Sequence, residues 1–312
     1  MLRDGMDLVE IITVEWTYAY WLLVAGRLPQ ALEAIDHTVE LSGGDPQVGR
    51  ELAGFSPLIL AETVAGWTLA QAGGFDECWR RGERAIRMAR DYGAQENLGW
   101  ALGGLSFSAY LARGTSRVPV TDVRRASLEG VEIAEAGGSR FSQIMASSQL
   151  AIALFLNGDY GASEERFTEA LAEARGAGTA LDWQGYYLAV FADACLARRD
   201  AAAAIGKARE GIEVSDAGGA WFQSALARTV LADALVQAGG PETEITTAIA
   251  EARELVNKSG GNSLLPRLRE AEARVEGRTD RTVLQAGLRE AVAMYRAMGA
   301  PDPAERLAQE IG

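Results

Sequence analysis

The sequence predicts an all-α protein: a right-handed α-solenoid of about seven antiparallel helix pairs, closed by a short C-terminal capping helix. Three observations predict it. Apolar residues recur three and four apart, as in Ile144, Leu150, Leu154 and Phe155 and then Phe167, Ala170 and Leu171, while strict two-residue alternation is hard to find. One passage is written twice: GVEIAEAGGSRF from Gly130 to Phe141 returns as GIEVSDAGGAWF from Gly211 to Phe222, with the kinds of residue in the same order. Related double-glycine stops at Gly73-Gly74, Gly239-Gly240 and Gly260-Gly261 divide the chain into units of about 40 residues, the period of a stacked helical repeat. One helix pair cannot bury its apolar faces alone, so neighbours stack and share a continuous core.

In order, the first pair covers 8–25 and 29–42, broken at Ala25-Gly26-Arg27, and the second covers 55–72 and 75–92 around Gly73-Gly74. The third covers 97–112 and 119–136; the fourth, 141–157 and 160–175, turns at Asn157-Gly158-Asp159. The fifth covers 182–198 and 201–216 around Arg198-Arg199-Asp200, the sixth 220–238 and 242–258, and the seventh 263–276 and 280–298. Glycine at such breaks takes the left-handed conformation that ends a helix. A tail helix over 303–311 caps the stack. No domain boundary is needed within 1–312; the weakest joint is 113–122, where GTSRVP lengthens the turn and favours a hinge or exposed loop.

With 312 residues, 48% hydrophobic and 23% charged, the chain has ample material for a core. A formal net charge of −13 opposes general association with nucleic acid or anionic lipid, both of which need a basic surface. The apolar run from Trp16 to Gly26 is too short to span a bilayer, and the first ten residues are not those of a secretory signal, so a cytoplasmic location is expected. Cys78 and Cys195 lie far apart in helical patterns and suit reduced core thiols.

Chemistry is sparse. His37 is the single histidine, which excludes His-based zinc clusters, and beside Asp36 on a second helix it reads as a surface residue. The acid pairs Glu132 and Glu135, Glu169 and Glu173, and Glu251 and Glu254 read as solvated helix faces. No phosphate loop, EF-hand or nucleophile elbow occurs, so no catalysis, cofactor or metal is expected of this chain.

The fourth unit, SSQLAIALFLNGDYGASEERFTEALAEA, resembles a tetratricopeptide repeat. Leu150 and Ala151 match its Leu-Gly pair, Leu154 an aromatic position, Gly158-Asp159-Tyr160 the turn, Ser163 and Ala170 the small residues, and Phe167 the second aromatic. The second unit fits through Gly66, Gly73, Phe75, Cys78 and Ala85, with Gly82 where an aromatic is usual; the fifth fits through Ala192, Asp200, Ala204 and Gly211 but lacks the turn glycine. More widely, GRLPQALEAIDHTVELSGGDPQVGRELAGFSPLILAETVAGW, GNSLLPRLREAEARVEGR and LREAVAMYRAMGAPDPAERLAQEIG are similar to the C-terminal helical region of bacterial signalling proteins that join a class III adenylate or guanylate cyclase to a P-loop ATPase. Comparable regions occur in large ATP-dependent transcription activators. The resemblance implies a non-catalytic sensor that restrains or releases an output domain, itself carried elsewhere, since neither the G-x-x-x-x-G-K-[ST] loop nor a cyclase core is present here.

In such stacks the first helix of each pair lines the concave surface. The expected groove residues are Trp16, Tyr20 and Trp67, then Met145, Ile152 and Phe155, then Tyr186 and Asp193, then Thr229 and Asp233. The aromatic end offers rigid contacts for a peptide or planar ligand, or simply fills gaps between repeats. Asp193 and Asp233 hold equivalent positions in adjacent units and together favour a cationic side chain or amine. Arg80, Arg84 and Arg87, with Arg81 and Arg90 nearby, form a basic stripe suited to an acidic neighbour. The expected role is a regulatory module that binds a protein or peptide, including a linked signalling domain; the alternative is a sensor for a small-molecule inducer in the groove.

Overall fold

The computed structural model describes residues 6–113 and 120–311, and its regular structure there is helical throughout. The pairs are α1 (Leu8–Val24) with α2 (Leu28–Leu41), then, after the single turn α3 (Arg50–Ala53), α4 (Pro57–Ala72) with α5 (Phe75–Asp91). They continue with α6 (Gln95–Leu111) and α7 (Val120–Gly137), α8 (Arg140–Leu156) and α9 (Tyr160–Ala177), and α10 (Gln184–Ala197) and α11 (Ala201–Gly218). The last are α12 (Trp221–Ala238) with α13 (Glu242–Ser259) and α14 (Leu265–Glu276) with α15 (Arg281–Ala297), followed by α16 (Pro301–Ile311). The all-α solenoid and its tail helix are as expected. Three short elements were not foreseen: α3 and the 3-10 turns Leu181–Trp183 and Asn262–Leu264, which lead into α10 and α14. Of the expected joint over 113–122, residues 114–119 lie outside the described residues.

Local chemistry sets the ends. Asp7 and Glu10 cap α1 reciprocally, each side chain accepting the other's backbone N–H at 2.9 Å. Ser56, Ser139, Asp200 and Asp280 accept first-turn amides of α4, α8, α11 and α15. Gly73, Gly239 and Gly260 end their helices at positive φ. In the fifth pair, where the sequence offers no glycine, Arg199 itself takes φ 64°.

The twice-written passage has a packing reason. Each copy runs from the last turns of a second helix (α7, α11) into the start of the next first helix (α8, α12). Its leading glycine is a crossing point: a Cβ on Gly130 would stand 3.2 Å from the Gly99 carbonyl, and one on Gly211 3.3 Å from the Gly185 carbonyl. Backbones of paired helices therefore meet where both carry glycine, closer than side chains allow.

The inner first helices α4, α6, α8, α10 and α12 are buried almost all round, whereas second helices such as α5 and α13 show an outer charged face. The stack turns so tightly that its first unit meets its sixth: the Trp221 amide donates to the Ala25 carbonyl, and Lys258 and Arg27 lie over the Trp221 ring at 4.2 and 5.3 Å. One large core cluster consequently extends from Ala19 to Val275, with each enclosed Leu, Val or Phe in it worth about 1.5–3 kcal/mol. Among the described residues, no helix is long and apolar enough to cross a membrane.

Candidate functional site

The concave side divides into a filled half and an open half. In the filled half, aromatics from α1, α4, α6 and α10 meet across the superhelix axis. Trp183 stands edge-on to Trp67, Phe107 and Tyr186 at ring separations of 5.8, 5.0 and 6.0 Å, and Phe107 stacks on Tyr186 at 4.1 Å. Trp67 reaches this position because residue 104 is glycine, since a Cβ there would stand 2.1 Å from the indole nitrogen. The Trp183 indole N–H donates to the Tyr20 hydroxyl at 2.9 Å, and Tyr20 in turn donates to Asp182.

Beyond the aromatics the same axis opens into a cavity of about 750 Å³ between the ends of α6 and α10, the length of α12 and α14, and the capping helices α15 and α16. Its walls are apolar (Leu111, Leu196, Leu226, Val236, Leu264) and its floor is ionic. Asp193, on α10, is at the centre: its Oδ2 accepts from Tyr110 at 2.8 Å, Arg113 at 2.6 Å and Arg267 at 2.9 Å, while Arg267 also donates to Oδ1 at 2.8 Å. The remaining Arg267 donor, Nε, binds Asp233 on α12. The rim belongs to α14 and α16, where Glu270 accepts from Arg274 and Arg306, and Arg274 is bidentate on Glu310.

Burial opposes the charge on Asp193, but the Arg113 and Arg267 charges outweigh it and hold the carboxyl well below the usual carboxylate range. Asp233 is the reverse case: burial raises it, and its single partner Arg267, already shared with Asp193, does not compensate. Burial and the Asp193 charge both raise the Tyr110 hydroxyl, which therefore stays a donor.

The expected groove residues fall into three groups. Trp67, Tyr186, Met145, Ile152 and Thr229 are buried, with Ile152, Tyr186 and Thr229 fully enclosed; their side chains pack between repeats, and of the five only Met145 also borders a cleft, the one between α6, α7 and α8. Phe155 and Tyr20 are nearly buried, and Trp16 is half-buried against Phe55. Asp193 and Asp233 both bind Arg267 of the chain's own α14, and of the two Asp233 lines the cavity. The basic stripe is similarly committed: Arg81 and Arg84 pair with the fully buried Glu62 at 3.2 and 3.1 Å, Arg81 also pairs with Asp36, and Arg90 reaches Glu129. His37 is one-third exposed and 3.5 Å from Glu15, and both cysteines are free and buried. Among the described residues, no group of three His, Cys, Asp or Glu side chains is placed to hold a metal.

Sequence reasoning missed Tyr110, Arg113, Arg267, Glu270, Arg274 and Arg306. The one signal available was Arg267 in LLPRLRE, an arginine on a first helix one unit beyond Asp233. Tyr110 and Arg113 come from the end of α6, and Glu270 and Arg274 on α14 are met by Arg306 of α16, whose approach to α14 no repeat pattern specifies.

No family model matches the sequence, and no curated protein matches it. Solved structures do match the fold. The chain is similar to a Rap protein complexed with competence and sporulation factor (TM-score 0.62, 11% identity, 97% of each chain covered). It is also similar to aspartyl phosphate phosphatase F from Bacillus subtilis (TM-score 0.53, 10% identity, 98% of this chain and 94% of that one). A STAND signal-transduction ATPase with a tetratricopeptide repeat sensor from Pyrococcus horikoshii aligns over 99% of this chain and 50% of its own, at TM-score 0.48 and 13% identity. The fold, a stack of antiparallel helix pairs, is accordingly one shared with the Rap protein along nearly the whole of both chains.

Proposed function

We propose that the chain is a regulatory module that captures a short extended peptide in the cavity bounded by α6, α10, α12, α14 and α16. The observation that carries this reading is the combination, in one open space of about 750 Å³, of apolar walls with separated charges of both signs. A peptide supplies both: apolar side chains against Leu196, Leu226 and Val236, and a carboxylate toward Arg113 and Arg306. The cavity walls are preformed on packed helices, so little ordering cost attends binding. The neighbour solved with competence and sporulation factor supports a signalling ligand for this fold. The output under control is, on the sequence resemblance, an ATPase or cyclase module, linked or separate.

The test is native mass spectrometry of the chain purified gently from its host, beside the variants Leu196→Glu and Val236→Glu, which place unpaired carboxylates in the apolar walls. A co-purified peptide lost from both variants supports the proposal. A bound mass too small for a peptide and lost in the same way turns the cavity into an inducer site. A mass retained by both variants places the site elsewhere.

A further inference from the structure

A second cleft, of about 370 Å³, lies where α1 and the first turns of α6 and α8 meet the 178–182 connection. Trp16, Tyr20, Trp21, Trp100 and Phe141 line it, and Asp182 is its one charged residue among the described residues. The rings form an arc in which each packs on the next: Trp21 on Tyr20 at 5.5 Å, Tyr20 on Trp16 at 6.4 Å, then through Phe55 to Trp100, and Trp100 on Phe141 at 5.5 Å. The arc is therefore rigid, although Trp21 itself is 55% exposed.

Asp182 is held in place and left uncompensated. Its Oδ2 accepts from Tyr20, and its backbone carbonyl accepts from Gln223 at 2.8 Å. Among the described residues, no lysine or arginine pairs with it. Elsewhere in the molecule the buried carboxylates Glu62 and Asp193 each bind two arginines, so the lack of one at Asp182 sets this cleft apart.

Ring faces carry negative potential and attract cations. A carboxylate beside an aromatic arc adds to that potential, repels anions, and gains nothing from a neutral planar guest. A metal ion needs several oxygen ligands, whereas one carboxylate is offered here. An alkylated ammonium group is weakly hydrated, apolar on its surface and positively charged, and so matches both features.

We propose that this cleft is a binding site for an alkylated ammonium group, received by Trp16, Trp21 and Trp100 and balanced by Asp182. The site is independent of the cavity at the other end of the axis, and either can fail without the other.

The test is titration of the full chain with choline, with its neutral isostere 3,3-dimethylbutan-1-ol, and with a peptide carrying one trimethyllysine, read by tryptophan fluorescence and calorimetry. Choline or the peptide is expected to bind saturably and about tenfold or more tighter than the isostere, and the tighter of the two identifies the source of the ammonium group. Asp182→Asn and Trp21→Ala, checked for an unchanged helical signal, are each expected to weaken binding by about tenfold. Trp21→Ala truncates an exposed ring and so keeps the test open if Asp182→Asn disturbs Tyr20. Equal binding of choline and the isostere, no binding by any probe, or full affinity in both variants overturns the proposal.

Discussion

The two halves of the concave side solve one problem differently. Both are lined by first helices, and both bring together residues far apart in the chain, but the half around Trp67, Phe107, Trp183 and Tyr186 is closed by rings while the half around Asp193 and Arg267 is held open by charge. Rings gain by excluding water from every face, so they collapse the axis. A paired charge needs its donors satisfied in fixed directions, and once Arg267 is bidentate on Asp193 and bound to Asp233 the helices that carry them are set at that spacing. Openness at the C-terminal half is thus a consequence of the ionic floor.

The largest effect expected from breaking this contrast is in the floor. Asp193→Asn leaves Arg113 and Arg267 without their shared carboxylate in a largely enclosed place, and should cost about 3–5 kcal/mol in urea unfolding at pH 7. The pH dependence sharpens the same point. The folded-state pKa of Asp193 is depressed, so its contribution is fully present above the ordinary aspartate value of about 3.9 and is lost as pH falls below it. The gap between the parent chain and Asp193→Asn should therefore narrow below about pH 4. Asp233, whose pKa is raised, acts with the opposite sign: its contribution is present at low pH and lost as pH rises through its folded value.

In the filled half the expected effect is smaller and steric. Gly104→Ala forces a methyl against the Trp67 indole and should cost about 1–3 kcal/mol by overpacking. Combining it with Trp67→Leu should cost less than the two separate changes added together, and simple additivity would show that the contact does not constrain the core. Smallest is the turn before α11: Arg199→Gly relieves a positive φ and should raise stability by up to about 1 kcal/mol in thermal unfolding.

The seven pairs were legible because their signals are local: apolar spacing for the helices, glycine at the stops, and small residues where helices cross. The position of Arg199 was legible as well, as the turn where glycine was missing. What sequence could not show was how far the stack turns. That depends on the sum of many small packing angles, and it decides whether Trp67 and Tyr186 face a groove or each other. In the acidic half the equivalent positions of Asp193 and Asp233 were legible, but Arg113 and Arg267, the second of which binds both, arrive from residues 80 and 74 positions away from Asp193, beyond any periodic pattern.

The most direct test of the central claim is site-specific photo-crosslinking in the host, with a photoreactive residue in place of Gln237 at the cavity rim or of Glu169 on the outer face of α9. The account predicts a crosslinked partner or peptide from position 237 and none from 169. Crosslinking from 169 alone would put recognition on the convex surface and contradict it.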